Sequence, residues 1–376
     1  MKESINLMNV MKYAGAYIAF EIGSGFATGQ EILQFYSAYG LFSIGGALIS
    51  MCLFAWAGAK TMSMGFVLKN QETVRPYRLI CGKHLGFLFE KFVLFYVFAG
   101  LCVMLSGAGA SMAEYLGISH LTGSLLMAGA VFLSYCFGFK KMVAVIGVLG
   151  PVIIGGIVFV AGWTLISEFG DIWVNIRDTE VLSRFSAVKS AGSWWVSGML
   201  YAGYNIVGSM AFLMAMGKDA ATKKEAAAGG IAGGVILVVA VLFVNFALFA
   251  CGDRIGEVMV PTLMMAKQIS PQVGAIFAGI LLSGIFSTAA PMLWTICDQL
   301  TDAKGGMSAA LLALLICADA LVLGQLPFDQ LVSVIYPITG YLGIGLLLCL
   351  AGVNLRCRND YSGQSGGLWH VGNRRL

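Results

Sequence analysis

One carboxyl, Glu21, lies midway along the first long apolar run of the chain, directly before Gly23-Ser24-Gly25. An ionisable group at that depth in a bilayer costs about 2.5–3.5 kcal/mol on insertion scales, so it needs a partner or a task. The glycines let a helix unwind, and an unwound segment exposes carbonyls that can ligate a cation or a substrate amine. Glu21 therefore has two readings. It pairs with a cationic group or takes a proton, or it is a structural carboxyl bonded to backbone groups freed at the break.

Other polar residues gather at the same depth of later runs. Tyr201, Tyr204, Asn205 and Ser209 surround Gly203 and Gly208. Tyrosine supplies an aromatic wall and asparagine an orienting amide, as in small-molecule pockets, although both also serve plain interhelical bonding. Ser283, Ser287 and Thr288 share one helical face around Gly284. Adjacent hydroxyls can complete an oxygen shell for a small hard cation, or simply bond to the carbonyl four residues back. Ser106, among Gly107 and Gly109, suits close helix packing as well as solute contact. Gln30 and Glu31 lie one to two turns beyond the break and read as an outer vestibule or a solvated face. His84, His120 and His370 are isolated and no CxxC occurs, so neither a metal site nor an enzyme is indicated.

These groups need a membrane to hold them. Of the 376 residues, 59% are hydrophobic and 11% charged, less than half the charge of an ordinary soluble domain at about 25%. A crossing helix takes about 20 apolar residues. Ten such stretches run over 10–36, 41–67, 86–116, 121–139, 142–166, 192–216, 226–251, 271–299, 307–324 and 328–353. The piece 257–269 is short and amphipathic and is expected at the interface. With both termini cytoplasmic, 18 of the 23 Lys and Arg fall on the cytoplasmic side, as the positive-inside rule requires. The basic residues form no single patch, which argues against nucleic acid. Five helices per half would place the second half upside down relative to the first, an arrangement common in secondary transporters. Both halves open with a glycine-interrupted helix, which predicts breaks in helices 1 and 6.

The string Ala19-Phe20-Glu21-Ile22-Gly23-Ser24-Gly25-Phe26-Ala27-Thr28-Gly29-Gln30-Glu31-Ile32 resembles the start of the YkvI-like membrane proteins. These are a bacterial branch of the amino acid–polyamine–organocation superfamily, and the resemblance extends to about residue 354. It implies the LeuT fold: an all-α membrane protein of ten transmembrane helices in two inverted five-helix repeats, with helices 1 and 6 broken. It also implies a sodium ion between the carbonyls of Ala19, Ile22 and Gly284 and the hydroxyls of Ser287 and Thr288. One departure is Glu21, which falls where many sodium-coupled amino acid carriers have a small neutral residue. It points to a cationic substrate or a proton-linked cycle.

The expectation is a secondary transporter in the cell (inner or plasma) membrane. It would be a Na+-coupled symporter of a small amino-acid-like or amine solute, working by alternating access. The solute is expected against Glu21, Gly23, Ser24, Gly25, Ser106, Tyr201, Tyr204 and Asn205. Residues 1–190 and 191–354 would be the two repeats, and 355–376 a polar cytoplasmic tail. Two alternatives stand beside this: H+ as the coupling ion with Glu21 as its carboxylate, or a solute receptor on the same fold without transport.

Overall fold

The computed structural model describes residues 5–71, 74–255, 259–301 and 309–353, with backbone only at 139–151, 298, 299 and 301. The expected tail, 355–376, lies outside these residues. The described elements are all helices: α1 (Leu7–Glu21), α2 (Ser24–Thr28), α3 (Gln30–Phe35), α4 (Ser43–Val67), α5 (Pro76–Leu116), α6 (His120–Phe137), α7 (Phe139–Ser167), α8 (Phe169–Asn175), α9 (Thr179–Ser186), α10 (Trp194–Asp219), α11 (Lys223–Ala250), α12 (Pro261–Ile269), α13 (Pro271–Thr301), α14 (Ala309–Leu323) and α15 (Phe328–Gly352), with a 3-10 turn before α4.

Among the described residues, the apolar stretches fall on helices. Seven are long and apolar enough to cross a membrane, and the pair Val152–Ser167 and Phe169–Asn175, bent by 84°, makes an eighth. The first stretch is divided among α1, α2 and α3, and α14 is 15 residues long. Side chains such as Leu7, Phe95, Ile166, Val322 and Leu348 stand outward and exposed. Water would penalise such a surface, whereas a lipid surround accepts it. The chain is a multi-spanning helical membrane protein.

The helices sort into two groups. α1, α4, α10 and α11 pack on one another, and so do α5, α6, α13 and α14. α15 joins the groups by packing on both α10 and α5, while α7 leans on α11 and α13. Absent side chains set the closest approaches. A methyl group on Gly230 of α11 would stand 2.3 Å from the carbonyl carbon of Gly58 in α4, and one on Gly343 of α15 would stand 2.2 Å from the Gly203 carbonyl oxygen of α10. Backbones this near each other replace the hydrophobic drive that lipid removes. The short α2 and α3 lie in the seam. α2 touches α13 and α5, and α3 touches α10, α11 and α15.

One expectation is corrected. The sixth stretch is one unbroken helix, α10. Its Gly203 serves the close crossing with α15, and Asn205 Nδ2 donates to the Tyr201 carbonyl one turn back at 3.0 Å. The described part of the piece expected at the interface forms α12. Pro261, Thr262, Leu263, Met265 and Ala266 of α12 are buried against α13, α7 and α2.

Candidate functional site

The break in the first stretch is built from backbone hydrogen bonds that change partner. Ile22 N–H still donates to Ile18 O at 3.1 Å, as in a helix. Gly23 N–H turns to Glu21 O at 3.0 Å, leaving the ladder that would have reached Ala19. The next helix restarts with Ala27 N–H on Gly23 O at 3.0 Å. Phe26 N–H, due to reach Ile22 in an unbroken helix, goes to the Glu31 carboxyl. The carbonyls of Ala19 and Ile22 thus lose their ladder donors at the point where a cation was expected. A second break follows at Gly29, whose φ of 84° is left-handed. There Thr262 of α12 donates to Ala27 O at 2.6 Å and pins α2 from outside the bundle.

Around this break, polar groups are buried. Glu21 is 6% exposed and its Oε1 lacks a hydrogen-bond partner. Ser24 and Ser209 are fully buried. Ser209 of α10 stands beside the Glu21 carboxyl, and Tyr336 of α15 is turned toward Ser24. Buried polar atoms in native proteins are almost always partnered by protein, water or ligand. These buried polar groups at one helix break make it the candidate site.

Tyrosines close it. Tyr204 stacks on Tyr336 with ring centres 4.6 Å apart, and Tyr201 meets Tyr204 edge-on at 5.5 Å. Tyr204 donates to Glu31 Oε2 at 2.5 Å. Glu31 is 3% exposed, so the vestibule reading of this residue is wrong. Its side chain folds back over α2 because Gly25 has none: a methyl group there would come within 2.1 Å of Glu31 Oε1. Gln30 is equally buried, with its Oε1 unpaired.

The expected residues divide accordingly. Glu21, Gly23, Ser24 and Gly25 form the break, with Met104 of α5 beneath Gly23. Tyr201 and Tyr204 stand over it, and Asn205 turns its amide to its own helix. Ser106 belongs to helix packing, donating to Leu326 O at 2.9 Å and lying 3.3 Å from His120 Nε2. On α13, Ser287 and Thr288 both donate to the Gly284 carbonyl, at 2.8 and 3.3 Å. That carbonyl is saturated and drops out of any ion shell, while the two hydroxyl oxygens keep lone pairs to offer. Sequence reasoning placed Glu31 too far outward and missed Tyr336. A carboxyl and a tyrosine inside apolar runs were visible, but not the fold that brings them together.

The fold around this break is a known one. The chain shares its fold with MhsT in complex with L-phenylalanine, at a TM-score of 0.60 and 14% identity over 89% of this chain and 87% of that one. Inward-facing Mhp1 follows at 0.59 and 13%, covering 91% and 75%. A mutant of the Eremococcus coleocola manganese transporter reaches 0.57 and 14%, covering 93% and 80%. The fold is the LeuT fold.

By sequence, the chain is 26% identical over 344 residues to the uncharacterized membrane protein YkvI of Bacillus subtilis (strain 168), covering 89% of this chain and 94% of that one. It is 22% identical over 340 residues to YyaD of the same organism, covering 90% and 95%. No protein-family model matches the chain. Its relatives are YkvI-like membrane proteins.

Proposed function

We propose that the chain is a secondary transporter that binds a small polar solute at the break between α1 and α2 and moves it by alternating access. The observation that carries this is the set of buried polar groups at the break, Glu21, Ser24 and Ser209, with Glu21 Oε1 left without a partner. The solved proteins of this fold, transporters among them, support the same reading. So does the helix grouping, which takes the first and second members of residues 1–190 and of 191–354 into one bundle and the third and fourth into the other. That is how an inverted repeat would divide.

The coupling ion is sodium in this account. Its oxygens are the carbonyls of Ala19 and Ile22 and the hydroxyls of Ser287 and Thr288, on a helix packed against α2. Bridging the break to α13, the ion would favour one orientation of the carrier through its differential affinity for the two. The proton is the rival, with Glu21 as its carrier. An ion bound only to the folded state stabilises by about 2.7 kcal/mol at a hundredfold excess over Kd. Purified protein should therefore melt at a higher temperature in sodium chloride than in choline chloride, and the Ser287→Ala/Thr288→Ala variant should not. Equal melting of the wild type in both salts removes sodium and leaves the proton.

A further inference from the structure

The chemical class of the solute can be taken further, on the transporter reading above. We propose that the solute is an amine without a carboxylate, and that Glu31 fills the place where carriers of this fold receive an anionic group. Broken helices in transporters point the amide ends of their halves at anionic parts of the substrate. In this chain that place is taken from within. The Glu31 carboxyl lies on the backbone of α2 where a Gly25 side chain would be, and the Phe26 N–H and the Tyr204 hydroxyl both donate to it. A carboxylate arriving with the solute would meet a carboxylate already bonded there. Among the described residues the ion pairs are Arg78–Glu90, Arg254–Glu168 and Arg254–Asp253, so neither Glu21 nor Glu31 has a basic partner.

The remaining polar groups suit a cation. An ammonium brings donors only and no acceptor. Glu21 Oε1 offers an acceptor without a partner, and the Ser209 and Ser24 hydroxyl oxygens, beside it and across the break, keep lone pairs to offer. Glu21 supplies a carboxyl inside an apolar surround, where its charged form needs a cation beside it. Tyr201, Tyr204 and Tyr336 add aromatic faces, which attract cations. Their crossed and stacked rings leave the hydrocarbon part of the guest against aromatic carbon. Glu31 thereby acts as a tethered carboxylate, and the solute has only to supply the amine.

Matched pairs that differ by one carboxylate isolate the point: phenethylamine against L-phenylalanine, tyramine against L-tyrosine, and 1,4-diaminobutane against L-ornithine. Each is titrated against the purified full-length protein while thermal stability is read. A site built around one polar pattern rejects an analogue that leaves buried groups mismatched by large factors. At least one amine should therefore bind the wild type about a hundredfold tighter than its amino acid. In Glu31→Gln, which keeps the shape and loses the charge, that preference should shrink at least about tenfold. Should Glu31→Gln not fold, the wild-type pairs decide alone. Amino acids binding as well as their amines, or no pair binding, overturns the proposal. Counterflow of the same labelled pairs in proteoliposomes keeps the two ideas apart. Flux without amine preference removes the amine and keeps the transporter. Amine binding without flux keeps the amine and makes the protein a receptor.

Discussion

At the residue scale, one missing side chain organises the site. Gly25 makes room for Glu31, and Glu31 in turn holds the Phe26 N–H and Tyr204. Gly25→Ala should push the carboxyl off α2 and destabilise the protein by about 1–3 kcal/mol, the usual cost of overpacking. Thermal unfolding checks this, and adding Glu31→Ala should return part of the loss by emptying the space. An unchanged melting temperature in Gly25→Ala would mean the carboxyl lies elsewhere. Glu21 was legible in the sequence because a carboxyl inside an apolar run is conspicuous on energetic grounds alone. Glu31 was not. Its distance from the break along a helix suggests an outward position, and only the second break at Gly29, with its left-handed backbone, turns it inward. Ser287 and Thr288 were readable as a hydroxyl pair, but the loss of the Gly284 carbonyl to both of them required geometry.

At the element scale, glycine has two uses in a membrane helix, and sequence does not separate them. At Gly23 the backbone ladder breaks. At Gly203 the helix continues and the glycine admits the α15 backbone. The difference lies in the partner. Gly203 faces Gly340 and Gly343 across a helix crossing, whereas Gly23 faces only the methyl end of Met104. The α10–α15 crossing carries Tyr204 against Tyr336, so spacing and site are linked. Gly343→Ala puts a methyl group 2.2 Å from the Gly203 carbonyl oxygen and must part the helices. It should lower stability by about 1–3 kcal/mol and weaken amine binding, because the tyrosine stack opens. Wild-type affinity in a stable Gly343→Ala variant would show that the stack does not line the site. The helix positions themselves were well read, since runs of this length and hydropathy have few other fates.

For the whole molecule, bonds on both sides of the break tie it down. Toward the start of α1, Glu225 accepts from Asn6 N–H at 2.9 Å and Asn9 Nδ2 at 3.3 Å, and Tyr13 donates to Asp219 O at 3.0 Å. On the other side, Thr262 pins α2 and Gln34 Nε2 donates to Asp329 O at 3.1 Å. Alternating access would release one set while the other holds, with α1 moving against the α5–α6–α13–α14 group. The central claim is that solute crosses through the break at Glu21. Its most direct test is counterflow in proteoliposomes, using labelled phenethylamine, 1,4-diaminobutane, L-phenylalanine and L-ornithine, with wild type and Glu21→Gln reconstituted at equal amounts. The wild type should accumulate at least one of these, an amine first, and folded Glu21→Gln should accumulate none at the same pH. Equal accumulation by the two proteins would contradict it, because the solute would then cross without the carboxyl on which the site is built.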